Sequence, residues 1–307
     1  MHRPVRALAA AVLSVALLGA SCSGAPAPAA GSGPRRLVSA TPGSTPSAVT
    51  GSKPPAPDAA IPSEPRVLAQ ALDVGTRGLY EAIDAWLARD PQAQRSPESV
   101  ELRALYQQRI TRVLAREPAL AERVIARLPH DVGSVTSANV EASERLFSHA
   151  RPVKDATVLK VTPPEPAGTL LAYYREAEER FGVAWEVLAA VNSIESRFGR
   201  VRSASYAGAR GPMQFIPSTW DAYGLGGDVH DPHDAILGAA NYLAASGAPE
   251  DYRGALYHYN PVHDYVAAVM LYAKQMMRDS RTYYAYYHWQ VFVFTKRGDV
   301  RLTGPGL

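Results

Sequence analysis

The stretch "VAWEVLAAVNSIESRFG", residues 183–199, has the spacing of an amphipathic helix but places a carboxylate on its apolar face. Leu188, Val191 or Asn192, and Glu195 recur at intervals of three and four, so they share one side of a helix. The stretch predicts a helix that ends at its final glycine. Glu195 would then project from the same side as the core residues, one turn before the helix stops.

The position of Glu195 suggests a chemical role. Removal from water disfavours the charged form of a carboxylate, so we expect Glu195 to hold a proton near neutral pH. A protonated carboxyl group is what a general acid needs in order to protonate a glycosidic oxygen. The alternative is that Glu195 pairs with Arg197, Arg200 or another cation and only anchors the helix end.

The segment "SASYAGARGPMQFIPSTW", residues 203–220, is rich in small residues and carries little charge. Its glycines allow backbone groups to come close to an extended ligand. Gln214 can donate and accept hydrogen bonds at once, which suits sugar hydroxyl and N-acetyl groups. Met213, Phe215 and Trp220 offer an apolar wall, although core packing is the favoured interpretation for Phe215.

Together with a third segment, these residues resemble the soluble lytic transglycosylase family, which shares the goose-type lysozyme fold. The family has a helix ending in Glu-Ser, then a Gly-x-Met-Gln-x-x-Pro segment, then an Ala-x-x-Tyr-Asn segment. This chain has Glu195-Ser196, "GPMQFIPSTW" at Gly211–Trp220 and "ALYHYN" at Ala255–Asn260. The second segment is also similar to the membrane-bound B-type branch. Three motifs in the same order carry the resemblance.

The resemblance implies that Glu195 is the single catalytic acid and base. It also implies that Ser205 sits beside this carboxylate, with Ser203 as the alternative, and that Tyr259 helps to orient it. The implied substrate-binding residues are Ser196, Ser205, Met213, Gln214, Tyr259 and Asn260. Pro261 follows where many relatives have a glycine-rich turn, so the groove is expected to differ locally.

The chemistry that the resemblance implies is cleavage of the β-1,4 bond between N-acetylmuramic acid and N-acetylglucosamine in peptidoglycan. One carboxyl group acts first as acid and then as base, the product is a 1,6-anhydro sugar, and no cofactor is needed. The enzyme would be a carbon–oxygen lyase acting on a polysaccharide. The alternatives are a lysozyme-type muramidase, which is a hydrolase, and a non-catalytic peptidoglycan-binding protein.

The N-terminus predicts export. Positive charge in the first six residues precedes the apolar run Ala7–Ala20, which is too short to read as a good transmembrane helix. The ending "LLGASCS" resembles a bacterial lipobox, which implies that Cys22 is lipidated and holds the protein at the outer face of the cytoplasmic membrane. The alternative is a plain secretory signal with an incidental cysteine. Residues 23–65 are rich in Ala, Pro, Gly and Ser and predict a disordered tether.

The remaining sequence predicts a mainly α protein. A helical N-terminal module at residues 66–156 precedes a lysozyme-like transglycosylase domain at 157–278, and a small β-hairpin lies in the extension 279–307 around "KRGD". Within the module, Ser96 is the expected N-cap of a helix with Pro97 at its first position.

The formal net charge of +3 is low, and no long Lys/Arg block indicates nucleic acid, so the expected partner is the peptidoglycan strand. "GDVHDPHDAI", residues 227–236, has metal-ligating side chains, but we interpret Asp231-Pro232 as a helix start and expect no metal. The aromatic run Tyr283–Trp289 either contacts glycan or, as we favour, anchors the hairpin to the helices.

Overall fold

The computed structural model describes residues 53–307 of the chain. The predicted signal at residues 1–22, Cys22 and the tether up to residue 52 lie outside the described residues. Among the described residues, no helix combines the length and the apolar character needed to span a bilayer.

The described chain is mainly α-helical. The N-terminal helices are α1 (Pro65–Arg89), α2 (Glu98–Leu114), α3 (Pro118–Ile125) and α4 (His130–Ser148), followed by a short 3-10 turn (Ala156–Val158). The later helices are α5 (Ala167–Phe181), α6 (Trp185–Ser196), α7 (Pro217–Tyr223), α8 (Pro232–Ala245), α9 (Tyr252–Tyr259), α10 (His263–Arg278) and α11 (Arg281–Tyr287). Two strands, β1 (Phe292–Thr295) and β2 (Gly298–Arg301), complete the described chain.

The C-terminal hairpin is confirmed. Strands β1 and β2 pair antiparallel, with Phe292 opposite Arg301 and Thr295 opposite Gly298. Gly298 has φ 108°, a conformation that side chains with a Cβ rarely adopt. The "KRGD" sequence therefore turns the chain at the point where its glycine is needed.

One hydrophobic core runs through the N-terminal and the later helices. It includes Ile83 and Trp86 of α1 and Ala142 of α4 together with Val191 of α6 and Val269 of α10, all of them buried. Helix α10 packs along α4 on one side and α6 on the other. The hydrophobic core is continuous across residue 157. The division of the chain into two domains at that residue therefore stays a prediction.

Buried hydrogen bonds also connect the N-terminal helices to the C-terminal part of the chain. The Gln108 side chain of α2 donates to the Gln290 carbonyl at 2.9 Å and accepts from the Gln290 N–H at 2.7 Å. The Tyr286 hydroxyl donates to Asn139 of α4 at 2.6 Å. Because such groups lose water on burial, each bond matters mainly by satisfying atoms that would otherwise be unpaired.

Two local expectations need correction. Helix α2 begins at Glu98 with Pro97 as its N-cap, so Ser96 does not cap it and no side chain does. The last part of the predicted tether is also ordered: Arg109 donates to the carbonyls of Pro57 at 3.2 Å and of Ala59 at 2.7 Å. The Arg109 guanidinium group thus supplies hydrogen-bond donors for backbone carbonyls of this proline-rich stretch.

The aromatic run 283–289 packs inside the protein. Tyr283, Tyr286 and Trp289 are at most 2% exposed, and Tyr286 meets Trp289 edge to face with ring centres 5.0 Å apart. Edge-to-face packing adds to the stabilisation that burial gives. This burial favours a packing role for the run over a contact with glycan, and anchoring of the hairpin stays a prediction.

We expect Gln108→Ala to lower the free energy of unfolding by about 2–4 kcal/mol, because two backbone groups of Gln290 lose their partner inside the protein. Urea denaturation followed by circular dichroism measures the change. Gln70→Ala, at an exposed position of α1, is the matched control and should change stability little. Equal stability of the Gln108 variant and wild type would contradict this coupling of helix to hairpin.

Candidate active site

Helix α6 runs through the core, and every residue from Val187 to Ser196 is buried. The small side chains of Ala189 and Ala190 let neighbouring helices approach, and α6 packs against α5, α8, α10 and α11. Glu195 is the penultimate residue of the helix and is only 4% exposed. The expectation that this carboxyl group is largely removed from water is therefore met.

The helix ends three residues earlier than its sequence predicts. Arg197, Phe198 and Gly199 have φ of 53°, 59° and 80°, so a left-handed turn begins directly after Ser196. Residues other than glycine avoid this region, and the turn must be held by its surroundings. The buried Phe198 ring contributes by packing edge to face on Tyr283, with ring centres 5.9 Å apart.

A buried polar network ties this turn to the segment 211–215. The Asn192 side chain accepts from the Tyr174 hydroxyl at 2.6 Å and donates to the Pro212 carbonyl at 2.7 Å. The Ser196 hydroxyl donates to the same carbonyl and accepts from the Gly199 N–H at 2.8 Å. The helix end and the Gly-Pro-Met-Gln segment are therefore fixed to each other.

The segment 211–215 forms a tight turn. Phe215 and Arg210 exchange two backbone hydrogen bonds of 2.8 and 2.9 Å. A Cβ on Gly211, which has φ 73°, would overlap the Val229 carbonyl, so only glycine fits there. Gln214 has φ 50° and donates to the Gly211 carbonyl at 2.9 Å, while its Oε1 has no protein partner. The turn therefore holds the Gln214 side chain largely enclosed, at 7% exposure.

Two tyrosine hydroxyls lie within electrostatic reach of the Glu195 carboxyl group. Tyr259 donates to the Met213 carbonyl at 2.6 Å, and burial and then Glu195 raise its pKa well above the usual value. Burial and then Glu195 also raise the pKa of the Tyr265 hydroxyl. Both groups therefore stay protonated. The proton of Tyr259 is committed to the Met213 carbonyl, so Tyr265 is the hydroxyl that can favour the charged carboxylate once Glu195 has given up its proton.

Tyr265 was missed by the sequence interpretation. It lies on the buried face of α10, where its ring fits the apolar stripe that includes Val269 and Tyr272. The sequence did contain one signal for it: a tyrosine hydroxyl on the apolar face of a helix, which needs a polar neighbour once it is buried. A single sequence does not reveal that this neighbour is on α6.

The other predicted substrate-binding residues differ in their burial and in their hydrogen-bond partners. Ser196 and Met213 are fully buried, so they lie behind the surface that a substrate would touch. Ser205 accepts from the Ala209 N–H at 3.0 Å and thereby closes its own loop, while Ser203 accepts from the Lys160 N–H at 2.8 Å. Asn260 is 4% exposed and follows the end of α9.

The arginines after Glu195 have other neighbours. Arg197 donates to the Ser193 hydroxyl at 3.1 Å. Arg200 donates to the Arg197 carbonyl at 3.2 Å and lies 5.0 Å from the centre of the Tyr287 ring. These contacts favour the chemical interpretation of Glu195 over an anchoring ion pair with either arginine.

Asp231, His233 and Asp234 bring potential metal-ligating atoms within 4.8 Å of one another. Asp231 is engaged as the N-cap of α8, where it accepts from the N–H groups of His233 at 2.9 Å and Asp234 at 3.1 Å. The His233 ring contacts Glu176 at 2.9 Å. The predicted helix start is confirmed, and it accounts for the spacing of these side chains.

Comparison with known proteins finds similarity to a family across this site. Residues 172–275 match the family described as "Transglycosylase SLT domain". A stretch of 105 residues is 32% identical to the "Membrane-bound lytic murein transglycosylase F" of Thiobacillus denitrificans (strain ATCC 25259 / T1), covering 34% of this chain and 22% of that relative. No solved structure matches. The predicted resemblance to lytic transglycosylases and the mainly α, lysozyme-like fold are confirmed.

Alkaline titration tests the burial of the site tyrosines. A tyrosine whose pKa is raised by folding contributes stability that is complete below the unfolded value near 10 and is lost as the pH rises above it. We expect Tyr265→Phe to make this loss shallower by about 1.4 kcal/mol per pH unit above pH 10. Urea denaturation across that range measures the slope. Tyr206→Phe, at a 78% exposed position, is the control, and identical slopes in both variants would contradict the placement of Tyr265.

Proposed function

We propose that this protein is a peptidoglycan lytic transglycosylase in which Glu195 is the single acid and base. The observation that carries the proposal is the burial of Glu195 at the end of α6, where it faces the hydroxyls of Tyr259 and Tyr265. The relative's name assigns it murein as a substrate and lytic transglycosylase activity. The chain covers 22% of that relative, so its substrate and reaction are inferences.

The reaction proceeds in two steps on one carboxyl group. Glu195 donates its proton to the oxygen between N-acetylmuramic acid and N-acetylglucosamine, and the bond from that oxygen to C1 breaks. An oxocarbenium-like centre develops at C1, which the substrate's own N-acetyl group stabilises. The C6 hydroxyl then closes onto C1 and returns its proton to Glu195. The product is a 1,6-anhydro sugar, no water is consumed, and the acid is regenerated.

A mechanism with one carboxyl group leaves the other acids free for other roles. Ordinary glycosidases place a second carboxylate roughly 5–9.5 Å from the first. The acids that follow Glu195 in the chain include Asp221 and Asp228, which are exposed, and Asp231, which caps α8. An attack by the substrate's own hydroxyl makes a second protein carboxylate unnecessary.

The surrounding residues divide into two roles. We assign Gln214 and Asn260, which are 7% and 4% exposed, to the wall of the proposed groove, where their amide groups would bind sugar hydroxyl or N-acetyl groups. Tyr265 would support the carboxylate after it has given up its proton. Ser196 and Met213 are positioning residues in this proposal, because their side chains are fully buried.

We also propose that the protein works in the cell envelope. The substrate lies outside the cytoplasm, and the N-terminal sequence has the layout of an export signal ending at Cys22. Lipidation of Cys22 would hold the catalytic part at the membrane through the tether. The relative's name describes a membrane-bound protein.

Glu195→Gln should lower the release of fragments from purified sacculi by about 100- to 10,000-fold, because an amide cannot donate the proton. Release is quantified by chromatography of the soluble muropeptides. Glu186→Gln, on the opposite end of the same helix, is the matched control and should retain activity. If wild type and Glu195→Gln release equal amounts, or neither releases any, the enzyme assignment is wrong.

The products distinguish the lyase from a muramidase. Mass spectrometry of the released fragments should find 1,6-anhydromuramyl ends, each lighter by one water than the reducing end that hydrolysis leaves. Digestion in water enriched with oxygen-18 is an independent check, because the lyase incorporates no label. Reducing ends that carry the label would replace this proposal with a lysozyme-type hydrolase.

A further inference from the structure

A pocket lies against a face of α6 different from the one that carries Glu195. Its volume is about 80 Å³, and it opens between the N-terminal helices and the hairpin. The residues of its wall that matter here are Arg112, Phe147, Ile194, Arg197, Tyr272 and Phe292. Ile194 and Glu195 are adjacent in the helix and therefore project about 100° apart, so the pocket is separate from the proposed glycan site.

Positive charge exceeds negative charge around this pocket. Arg116 binds both oxygens of Asp299 at 2.7 Å, and Arg112 donates to one of the same oxygens at 2.9 Å. Asp299 therefore serves two guanidinium groups. Arg197 makes no ion pair with a carboxylate in the described part of the chain. Asp299 thus neutralises part of the charge of Arg112 and Arg116, and the positive charge of Arg197 is added to theirs.

Arg197 is the cation with capacity left for a ligand. Its Nε is enclosed by protein, and of its two terminal nitrogens Nη1 donates to Ser193 at 3.1 Å, which leaves Nη2 as the donor for a ligand. Burial lowers the pKa of Arg197 to about 10, and Arg200 adds to this effect, so the group is still charged at neutral pH. Arg197 is partly buried and has no carboxylate partner in the described part of the chain, so an anion is the favoured class of ligand for it.

The remaining wall is apolar and aromatic. Arg112 covers the rings of Phe147 and Phe292 at 4.8 and 4.6 Å, which fixes both rings at the mouth of the pocket. The Tyr272 hydroxyl lies 3.4 Å from that of Ser143 and adds a polar group at the edge. Guanidinium donors beside apolar rings fit a carboxylate attached to a small hydrocarbon group.

We propose that this pocket binds a carboxylate, with Arg197 as its principal donor and the aromatic rings against the attached alkyl group. The charge excess around Asp299 makes an anion the required class of ligand, and the small volume limits it to the end of a peptide or a small organic acid. This inference does not depend on the proposed glycan cleavage, because the pocket and the catalytic residue lie on different faces of α6.

Titration calorimetry on the full-length protein at constant ionic strength tests the pocket. The probes are N-acetyl-D-alanyl-D-alanine, its C-terminal amide and acetate. We expect the dipeptide acid to bind at least tenfold more tightly than its amide, and Arg197→Gln to weaken the acid at least tenfold. Arg202→Gln removes an exposed arginine that contacts the His230 carbonyl outside the pocket, and it should bind like wild type.

The comparison of acid and amide on wild-type protein needs no variant, so it holds even if Arg197→Gln fails to fold. If acetate binds as tightly as the dipeptide acid, the ligand is a small organic acid and the carboxylate site stands. If acid and amide bind equally, if neither carboxylate binds, or if Arg202→Gln weakens binding as much as Arg197→Gln, the proposal is overturned. No glycan is present, so these results do not depend on the enzyme assignment.

Discussion

The candidate active site depends on one carbonyl group that two side chains share. Asn192 and Ser196, one helical turn apart on α6, both donate to the Pro212 oxygen, and Tyr174 holds Asn192 from the other side. A buried carbonyl can accept two hydrogen bonds, and both of its acceptor positions are filled here. The end of α6 and the turn that bears Gln214 are thereby locked together, so the distance from Glu195 to the rest of the site is not free to vary.

This lock also explains how the chain tolerates an unfavourable backbone. Arg197 and Phe198 are in left-handed conformations that cost on the order of 1 kcal/mol or more each in residues with a Cβ. Burial of Phe198 and the hydrogen bond from the Gly199 N–H to Ser196 offset that cost locally. The abrupt stop leaves Glu195 in the last turn of the helix.

Sequence reasoning found what periodicity and short-range chemistry determine. The apolar repeat located α6 and showed that Glu195 breaks it, and turn residues located the hairpin and the start of α8 at Asp231. The end of α6 was not predictable, because packing of Phe198 overrides the local preference for helix. Tyr265 and the burial of Met213 also depend on which helices meet. Such contacts between distant segments leave no mark in the spacing of one sequence.

The N-terminal helices support the site through α10. Helix α4 packs along α10. Arg145 of α4 and His149, the residue after its end, contact Asp264, the residue before Tyr265, at 2.9 and 2.8 Å. These ion pairs are about one-third exposed, so each contributes little stability. The apolar core shared by α1, α4, α6 and α10 is the larger effect, because it fixes the axis of α10 against α6. Since Tyr265 faces Glu195 across that interface, we infer that the N-terminal helices keep the hydroxyl and the carboxyl group in register.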